Sequence, residues 1–377
     1  MDYYLQSLIL EAIERLKTLK AKFPNKLNVH FHQLAQTTQI DIDDNIALLD
    51  DYLKDAQLNT PSNFPQLLTK IKEVHRDVKI LENVVVAAIN RYNNEDDVRV
   101  NKVVKIICDE INYPLIPPTV SCLSQKYYRI FTGYNLLCVP LLECEFLLHL
   151  PDLYHELGHP LIDIDNNPKT QEFNISIGRF LSMAKKHFNK MIDYDIRNNN
   201  GKLKDYYQLW KRCWGKWLVE FYCDIYAVCT LGPAYCWSHL HISAKQGGNP
   251  FEVPRYHKTT HPNDHARMLV ITTVLYLMGF SKEKEMILVK WGALNKITTY
   301  QKGSTFKLAY PEELLQQCAI FGLQATKSIG GTIATSDHSG VIFQTLNEAW
   351  TKFWDNSITY FKWEKEAIQR MSSNKFR

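Results

Sequence analysis

The chain has little of what would place it in a membrane or on nucleic acid. It contains no run of about 18 uncharged apolar residues, and its closest stretch, 134–150, is interrupted by Glu143, Glu145 and His149. The first residues, Met-Asp-Tyr-Tyr-Leu-Gln, lack the basic and apolar segments of a secretory signal peptide. The net charge is only +4, and no basic stripe carries interleaved aromatic residues. We therefore expect no membrane-spanning segment and no nucleic-acid partner.

Cysteine pairs of the kind found in many metal-binding motifs are also missing. The nine cysteines are an odd number, none belongs to a Cys-x-x-Cys pair, and most lie within apolar stretches. This usage is typical of buried thiols in a reducing compartment. Because 45% of the residues are apolar, the chain can build a packed core. We expect a cytoplasmic globular protein.

Hydrophobic periodicity divides the chain into three regions. Apolar residues recur with helical spacing in residues 1–118 and again in 301–377, which predicts helical N-terminal and C-terminal regions. The middle region, 119–300, contains a strand-forming stretch, 127–140, whose Thr-Gly turn favours a hairpin. An edge strand there could hold an extended peptide. The predicted fold class is mainly α (α+β), with a small β-sheet.

The middle region carries a motif with clear chemistry, His155-Glu156-Leu-Gly-His159. On a helix, residues i and i+4 share a face, so both histidines can present ring nitrogens to one metal ion. Glu156 is placed to take a proton from a water that the metal activates. The pattern predicts a catalytic Zn²⁺ site with His155 and His159 as ligands and Glu156 as general base. Pro160 predicts that the helix ends or kinks at the second histidine.

Two acidic residues compete for the role of third zinc ligand. Asp165 lies where the HExxHxxGxxH class places its third ligand, but Ile162 stands where that class requires glycine. Glu220 and Asp224 lie at positions i and i+4 of an apolar helix predicted at 206–231, where a carboxylate is costly unless it binds a metal or a partner. We therefore favour Glu220 as the ligand. Asp224 would accept a hydrogen bond from the outer nitrogen of a zinc-bound histidine.

The motifs together resemble those of the gluzincins, zinc metallopeptidases with HExxH on one helix and Glu-x-x-x-Asp on a second. Residues 220–227, Glu-Phe-Tyr-Cys-Asp-Ile-Tyr-Ala, look like the Glu-x-x-Ala-Asp-x-x-Ala element of the family containing the CAAX prenyl proteases. Residues 261–267, His-Pro-Asn-Asp-His-Ala-Arg, match that family's His-Pro-x-x-x-x-Arg element. The resemblance covers roughly residues 130–280. It departs from the family in lacking membrane helices and in having Cys223 in place of the small alanine.

The resemblance implies a zincin-like core in residues 119–300 and a zinc-dependent metallopeptidase that acts on a protein or peptide substrate. By the same resemblance, His261 would stabilise the oxygen that becomes negatively charged during hydrolysis. Arg267 would anchor this segment on an acid near the zinc. The alternative for His261 is a surface residue beside a helix that begins at Pro262, in which case His257 or His265 could take its role.

Two other functions remain open on the sequence alone. A non-catalytic regulatory or interaction protein could keep a structural zinc, although such a site needs no base like Glu156. A hydrolase of a non-peptide amide would use the same metal chemistry. The loop 244–260 could cover the cleft, and the helical flanks at 1–111 and 311–371 could gate the site or bind a protein partner.

Overall fold

In the computed structural model of this chain, the residues described are 3–55, 60–124, 127–142, 145–163, 167–298 and 300–372. They are mostly helical and include one three-stranded sheet, which confirms the mainly α class with a small sheet. The chain forms two compact units, one of residues 1–104 and 118–141, the other of residues 105–117 and 142–377. The three regions expected from the sequence stay a prediction. Within the described ranges, no helix has the length and apolar character needed to cross a bilayer.

The first unit is built on helices whose apolar residues recur at helical spacing. Leu5, Ile9 and Leu16 on the first helix and Leu67 and Ile71 on the third are fully or almost fully buried in one hydrophobic core. This spacing puts the apolar residues of each helix on one face, and that face packs against the neighbouring helices. The helices are α1 (Tyr3–Lys20), α2 (His32–Lys54), α3 (Phe64–Ile80), α4 (Ala87–Ile89) and α5 (Glu95–Glu110), with a π-helical segment, Leu81–Val86, before α4. Only the part of α5 up to residue 104 belongs to the first unit.

The sheet of the first unit contains the hairpin expected from the sequence and one strand that was not expected. Strands β2 (Arg129–Phe131) and β3 (Leu136–Cys138) pair antiparallel around a 3₁₀ turn. Strand β1 (Thr119–Ser121) pairs parallel with β3. Because β3 has partners on both sides, the order is β1-β3-β2. Of the two strands of the hairpin, only β2 therefore lies at an edge of the sheet, where an extended peptide could pair.

Asn101 of α5 fastens β1 to the first unit. Its amide donates to the backbone oxygen of Val120 at 2.7 Å, and its side-chain oxygen accepts from the Val120 N–H at 2.9 Å. Both residues are buried, so water cannot replace these bonds. One side chain thus satisfies the outward-facing backbone groups of a short strand.

We expect Asn101→Ala to lower the free energy of unfolding by about 3 kcal/mol, because it leaves two buried backbone groups of Val120 without partners. Urea denaturation measures the loss. The matched control is Lys102→Ala, since Lys102 is the exposed neighbour on the same helix. Equal stability of the two variants would contradict this role for Asn101.

The second unit is helical throughout its regular elements as described. Two short helices contain the HExxH segment, and nine further helices follow them in the described residues of this unit. Their bounds are α6 (Asp152–Glu156), α7 (His159–Asp163), α8 (Gln171–Asn199), α9 (Lys204–Leu231), α10 (Pro233–Gln246), α11 (Asp264–Leu277), α12 (Ser281–Thr298), α13 (Ser304–Ala309), α14 (Glu312–Ser328), α15 (Val341–Asp355) and α16 (Ser357–Ser372).

Helix α9 is central to the second unit. It packs against α6, α8, α10, α11 and α14. Every residue from Glu220 to Leu231 is buried. A helix that is apolar on all sides is stable only inside a core, which explains why the helix predicted at 206–231 is surrounded by other helices. Any polar side chain on this part of α9 needs a partner inside the protein.

Three tryptophans of α9 hold the segments that follow in sequence. Their indole N–H groups donate to oxygens of the loop between α10 and α11 and of the end of α13, at 2.9–3.0 Å. The buried aromatic stripe therefore fills the core and also supplies hydrogen bonds to the segments that follow α9. The pairs are Trp210 with the Pro254 carbonyl, Trp214 with the Ala309 carbonyl and Trp217 with the Thr259 hydroxyl.

Candidate metal centre

The HExxH segment does not form one continuous helix, although the i, i+4 spacing of its histidines is typical of one. Helix α6 ends at Glu156 and α7 begins at His159, so the break falls just before the second histidine rather than at it. Pro160 explains the break, because it has no N–H to donate to the Glu156 carbonyl four residues back. Instead, Gly158 donates to the His155 carbonyl at 2.9 Å in a tighter turn.

Both histidines nevertheless reach one point, and a cysteine joins them there. The rings of His155 and His159 lie 5.2 Å apart, nearly perpendicular to each other. One ligand atom from each histidine and the sulfur of Cys223 all lie within 4.8 Å of one another. His155 and Cys223 are buried and His159 is partly buried. Two imidazoles and a thiol are ligands that Zn²⁺ and similar transition metals favour over Mg²⁺ or Ca²⁺. The group could hold a metal ion.

Gly158 makes this approach possible. A Cβ atom placed on Gly158 would lie 2.8 Å from the Cα of Cys223 and 3.0 Å from its Sγ. These distances are too short for any side chain, so the HExxH turn lies directly against α9 only because residue 158 is glycine. From the sequence, Cys223 was expected only to replace a small alanine, and Gly158 had no expected role.

His155 is oriented by a buried carboxylate. Its Nδ1 lies 2.8 Å from Oδ1 of Asp224, to which it donates, so its Nε2 is the nitrogen that remains for a ligand. Arg267 binds the same carboxylate through two N–H groups, at 2.8 and 2.7 Å, and the Tyr235 hydroxyl donates to it at 2.5 Å. Asp224 is fully buried. Its charge is therefore balanced by partners from three other helices, of which Tyr235 had no place in the sequence analysis.

Glu220 lies on the same face of α9, one turn before Asp224. Its Oε2 is 3.4 Å from Nε2 of His155, and its Oε1 is 3.6 Å from Nε2 of His261. Among the described residues, the group of donors that are mutually within 4.8 Å contains Cys223 and not Glu220. The structure thus brings Glu220 to His155, while Cys223 is the third donor that lies within 4.8 Å of both histidines.

The carboxylates and imidazoles of the site differ in their ionisation. Burial raises the pKa of Glu220, but its bond to His155 outweighs this and lowers the pKa to about 2. Burial also raises the pKa of Asp224, while Arg267 and His155 hold it well below its usual range. Burial, followed by His155, lowers the pKa of His159 to about 4, so this imidazole is neutral at pH 7 and has a free lone pair. Burial lowers the pKa of His155, but its bonds to Asp224 and Glu220 outweigh this and raise the pKa to about 10, so a metal ion would have to displace the proton on Nε2.

His261 combines exposure with a position beside the site. Its side chain is 65% exposed, and its Nδ1 lies 2.8 Å from the Thr260 hydroxyl. The helix that follows does not begin at Pro262: its N-cap is Asn263, whose side chain accepts from the Ala266 N–H at 2.8 Å. The Asn263 side chain can accept a hydrogen bond from a backbone N–H of the first turn, whereas a proline side chain has no acceptor. The helix therefore begins after Asn263.

The other site residues predicted from the sequence lie in different surroundings. Glu156 follows His155 on α6 and is buried. Asp165, the competing third ligand, lies outside the described residues. His257 lines a cavity of about 610 Å³ on the loop between α10 and α11. His265 accepts a hydrogen bond from the Trp291 indole at 2.9 Å, and burial lowers its pKa to about 4.

Comparison of the chain with protein-family models, curated proteins and solved structures found no match. The resemblance to gluzincins therefore stays a prediction that depends on the motifs themselves.

We expect Gly158→Ala to destabilise the protein by about 1–3 kcal/mol, the usual range for overpacking. It should also weaken zinc binding, because the HExxH turn has to move away from Cys223. Chemical denaturation and zinc titration against a chelator measure the two effects. Gly178→Ala on α8 is the matched control: a Cβ there meets nothing within 4 Å, so we expect unchanged zinc binding and stability equal or slightly higher. Equal zinc affinity of the two variants would contradict the proposed contact.

Proposed function

We propose that this protein is a zinc-dependent metallopeptidase of the gluzincin type, with a zincin-like core in its middle region. The main support is that three motifs far apart in sequence converge on one carboxylate. His155 comes from the first motif, Asp224 from the second and Arg267 from the third, and Asp224 binds both of the others. If the three motifs were chance matches, there would be no reason for their residues to contact one another.

The donor set supports zinc as the metal. His155 and His159 would hold the ion, and the resemblance adds Glu220, which lies against Nε2 of His155. When bound, zinc lowers the pKa of water toward neutrality and polarises a substrate carbonyl.

Each remaining residue has a defined task in such a site. Asp224 keeps the proton on Nδ1 of His155, which leaves Nε2 free to bind, and Arg267 keeps Asp224 charged and in place. The Glu156 carboxylate takes the proton of the attacking water and returns it to the leaving amine. Nε2 of His261 donates to the carbonyl oxygen as it becomes negatively charged.

The cavity along the loop between α10 and α11 could receive part of a substrate. Its lining includes Arg255, Tyr256, His257 and Thr259, so it extends to within two residues of His261. A volume of about 610 Å³ is sufficient for several peptide side chains or one small ligand. We propose that this loop contacts the substrate beside the metal centre.

One observation favours the alternative of a structural zinc without catalysis. The sulfur of Cys223 lies with the two imidazoles, and sulfur and nitrogen ligands are typical of structural zinc sites. The buried Glu156 favours catalysis, since a structural site has no use for a base. The two functions differ in the effect of changing Glu156.

We expect Glu156→Gln to keep its zinc and its stability, because glutamine has nearly the same shape and Glu156 is not a proposed ligand. Cleavage should fall by about 10²–10⁴-fold, the usual contribution of a positioned general base. Digestion of a proteome-derived peptide library, read by mass spectrometry, measures cleavage, and metal analysis measures zinc. Zinc-loaded wild type that cleaves no peptide would favour the structural-zinc alternative or a non-peptide amide substrate.

For His261→Ala we expect unchanged zinc content and a fall of about 10²–10³-fold in kcat, the effect of removing one donor to the developing negative charge. The control is His32→Ala, an exposed histidine of the first unit with no proposed role in the site, which should keep kcat near that of wild type. Full activity of zinc-loaded His261→Ala would make His261 a surface residue.

A further inference from the structure

We propose that Cys223 is a sulfur ligand of the ion held by His155 and His159. This inference rests on the proposed zinc site and goes beyond the resemblance, since the resembled family has alanine at this position. It assigns the site two nitrogen ligands and one sulfur ligand, with Cys223 in place of Glu220 as the third protein ligand, so that the fourth position of a tetrahedral ion stays open for water.

The face of α9 that meets the HExxH segment places the cysteine there. Glu220, Cys223 and Asp224 lie at positions i, i+3 and i+4, which share one side of a helix. The carboxylates on either side of Cys223 both lie within 3.4 Å of a nitrogen of His155. The sulfur of Cys223 lies on the same side of the helix. This agrees with its position within 4.8 Å of a ring nitrogen of each histidine.

The distances fit a tetrahedral ion after a small movement. With Zn–S of about 2.3 Å and Zn–N of about 2.0–2.1 Å, tetrahedral geometry puts sulfur and nitrogen about 3.5 Å apart. The three donor atoms are already within 4.8 Å of one another. They therefore need to close by no more than about 1.5 Å to reach these separations. On binding, the thiol proton leaves to solvent.

The backbone around Cys223 keeps the sulfur in place. Gly158 approaches its Cα so closely that the HExxH turn and α9 are in direct contact. The other cysteines described are also buried, but none of them belongs to a group of metal-binding side chains among the described residues. Cys229 lies on the same helix and is equally buried, so it provides a matched control.

The decisive measurement is the absorption spectrum of the full chain loaded with Co²⁺ in place of zinc. Sulfur bound to Co²⁺ gives a strong near-ultraviolet charge-transfer band that nitrogen and oxygen ligands do not give. We expect this band in wild type and in Cys229→Ala, and its loss in Cys223→Ala. Zinc affinity of Cys223→Ala should fall by more than 100-fold, beyond the roughly 10–100-fold typical of residues that only orient a ligand.

The outcomes separate this inference from the proposed function. If one Co²⁺ binds per wild-type chain without the band, Cys223 is not a ligand, while the zinc peptidase proposal stands. If neither Zn²⁺ nor Co²⁺ binds to wild type, the proposed function fails and the inference fails with it. If Cys223→Ala is unfolded by circular dichroism, Cys223→Ser replaces it, and persistence of the wild-type band in that folded variant would overturn the inference.

Discussion

The carboxylate of Asp224 is fully buried, and a charge in that position is stable only where other groups neutralise it. Arg267 supplies the opposite charge through two hydrogen bonds, while His155 and Tyr235 fill the remaining positions. These partners come from α6, α10 and α11, and Asp224 itself from α9. One carboxylate thereby ties four helices together. Removing any partner would leave a buried charge partly unpaired, so the orientation of His155 and the packing of the helices depend on the same group.

Much of this site could be predicted from local spacing. The two histidines, Glu220 and Asp224 stand out because charged side chains interrupt apolar helical stretches at intervals that share a face. Arg267 and His261 could be found only through a motif resemblance, since nothing in their own neighbourhood distinguishes them. The fold class followed from helical periodicity for the same local reason.

What the sequence did not reveal depends on contacts between distant segments. Tyr235 lies on the next helix, and its partner Asp224 cannot be inferred from spacing. Gly158 and Cys223 owe their importance to an approach between two backbones, which no periodic pattern records. The end of the helix was predicted at His159, whereas α6 ends at Glu156, because the missing N–H of Pro160 affects the turn before it. Strand β1 was missed since three residues are too few for an alternating pattern.

Helix α9 carries two sets of contacts whose relative orientation is fixed by its rotation. Trp210 and Trp217 donate to the loop that leads to His261, and the acids of α9, one turn later, contact His155. Only Leu218 and Val219 separate Trp217 from Glu220. Because each helical residue turns the chain by about 100°, an insertion or deletion of one residue at this point would rotate the acids into apolar neighbours. Surface loops of this protein can change length during evolution, whereas this short stretch of α9 can change composition but not length.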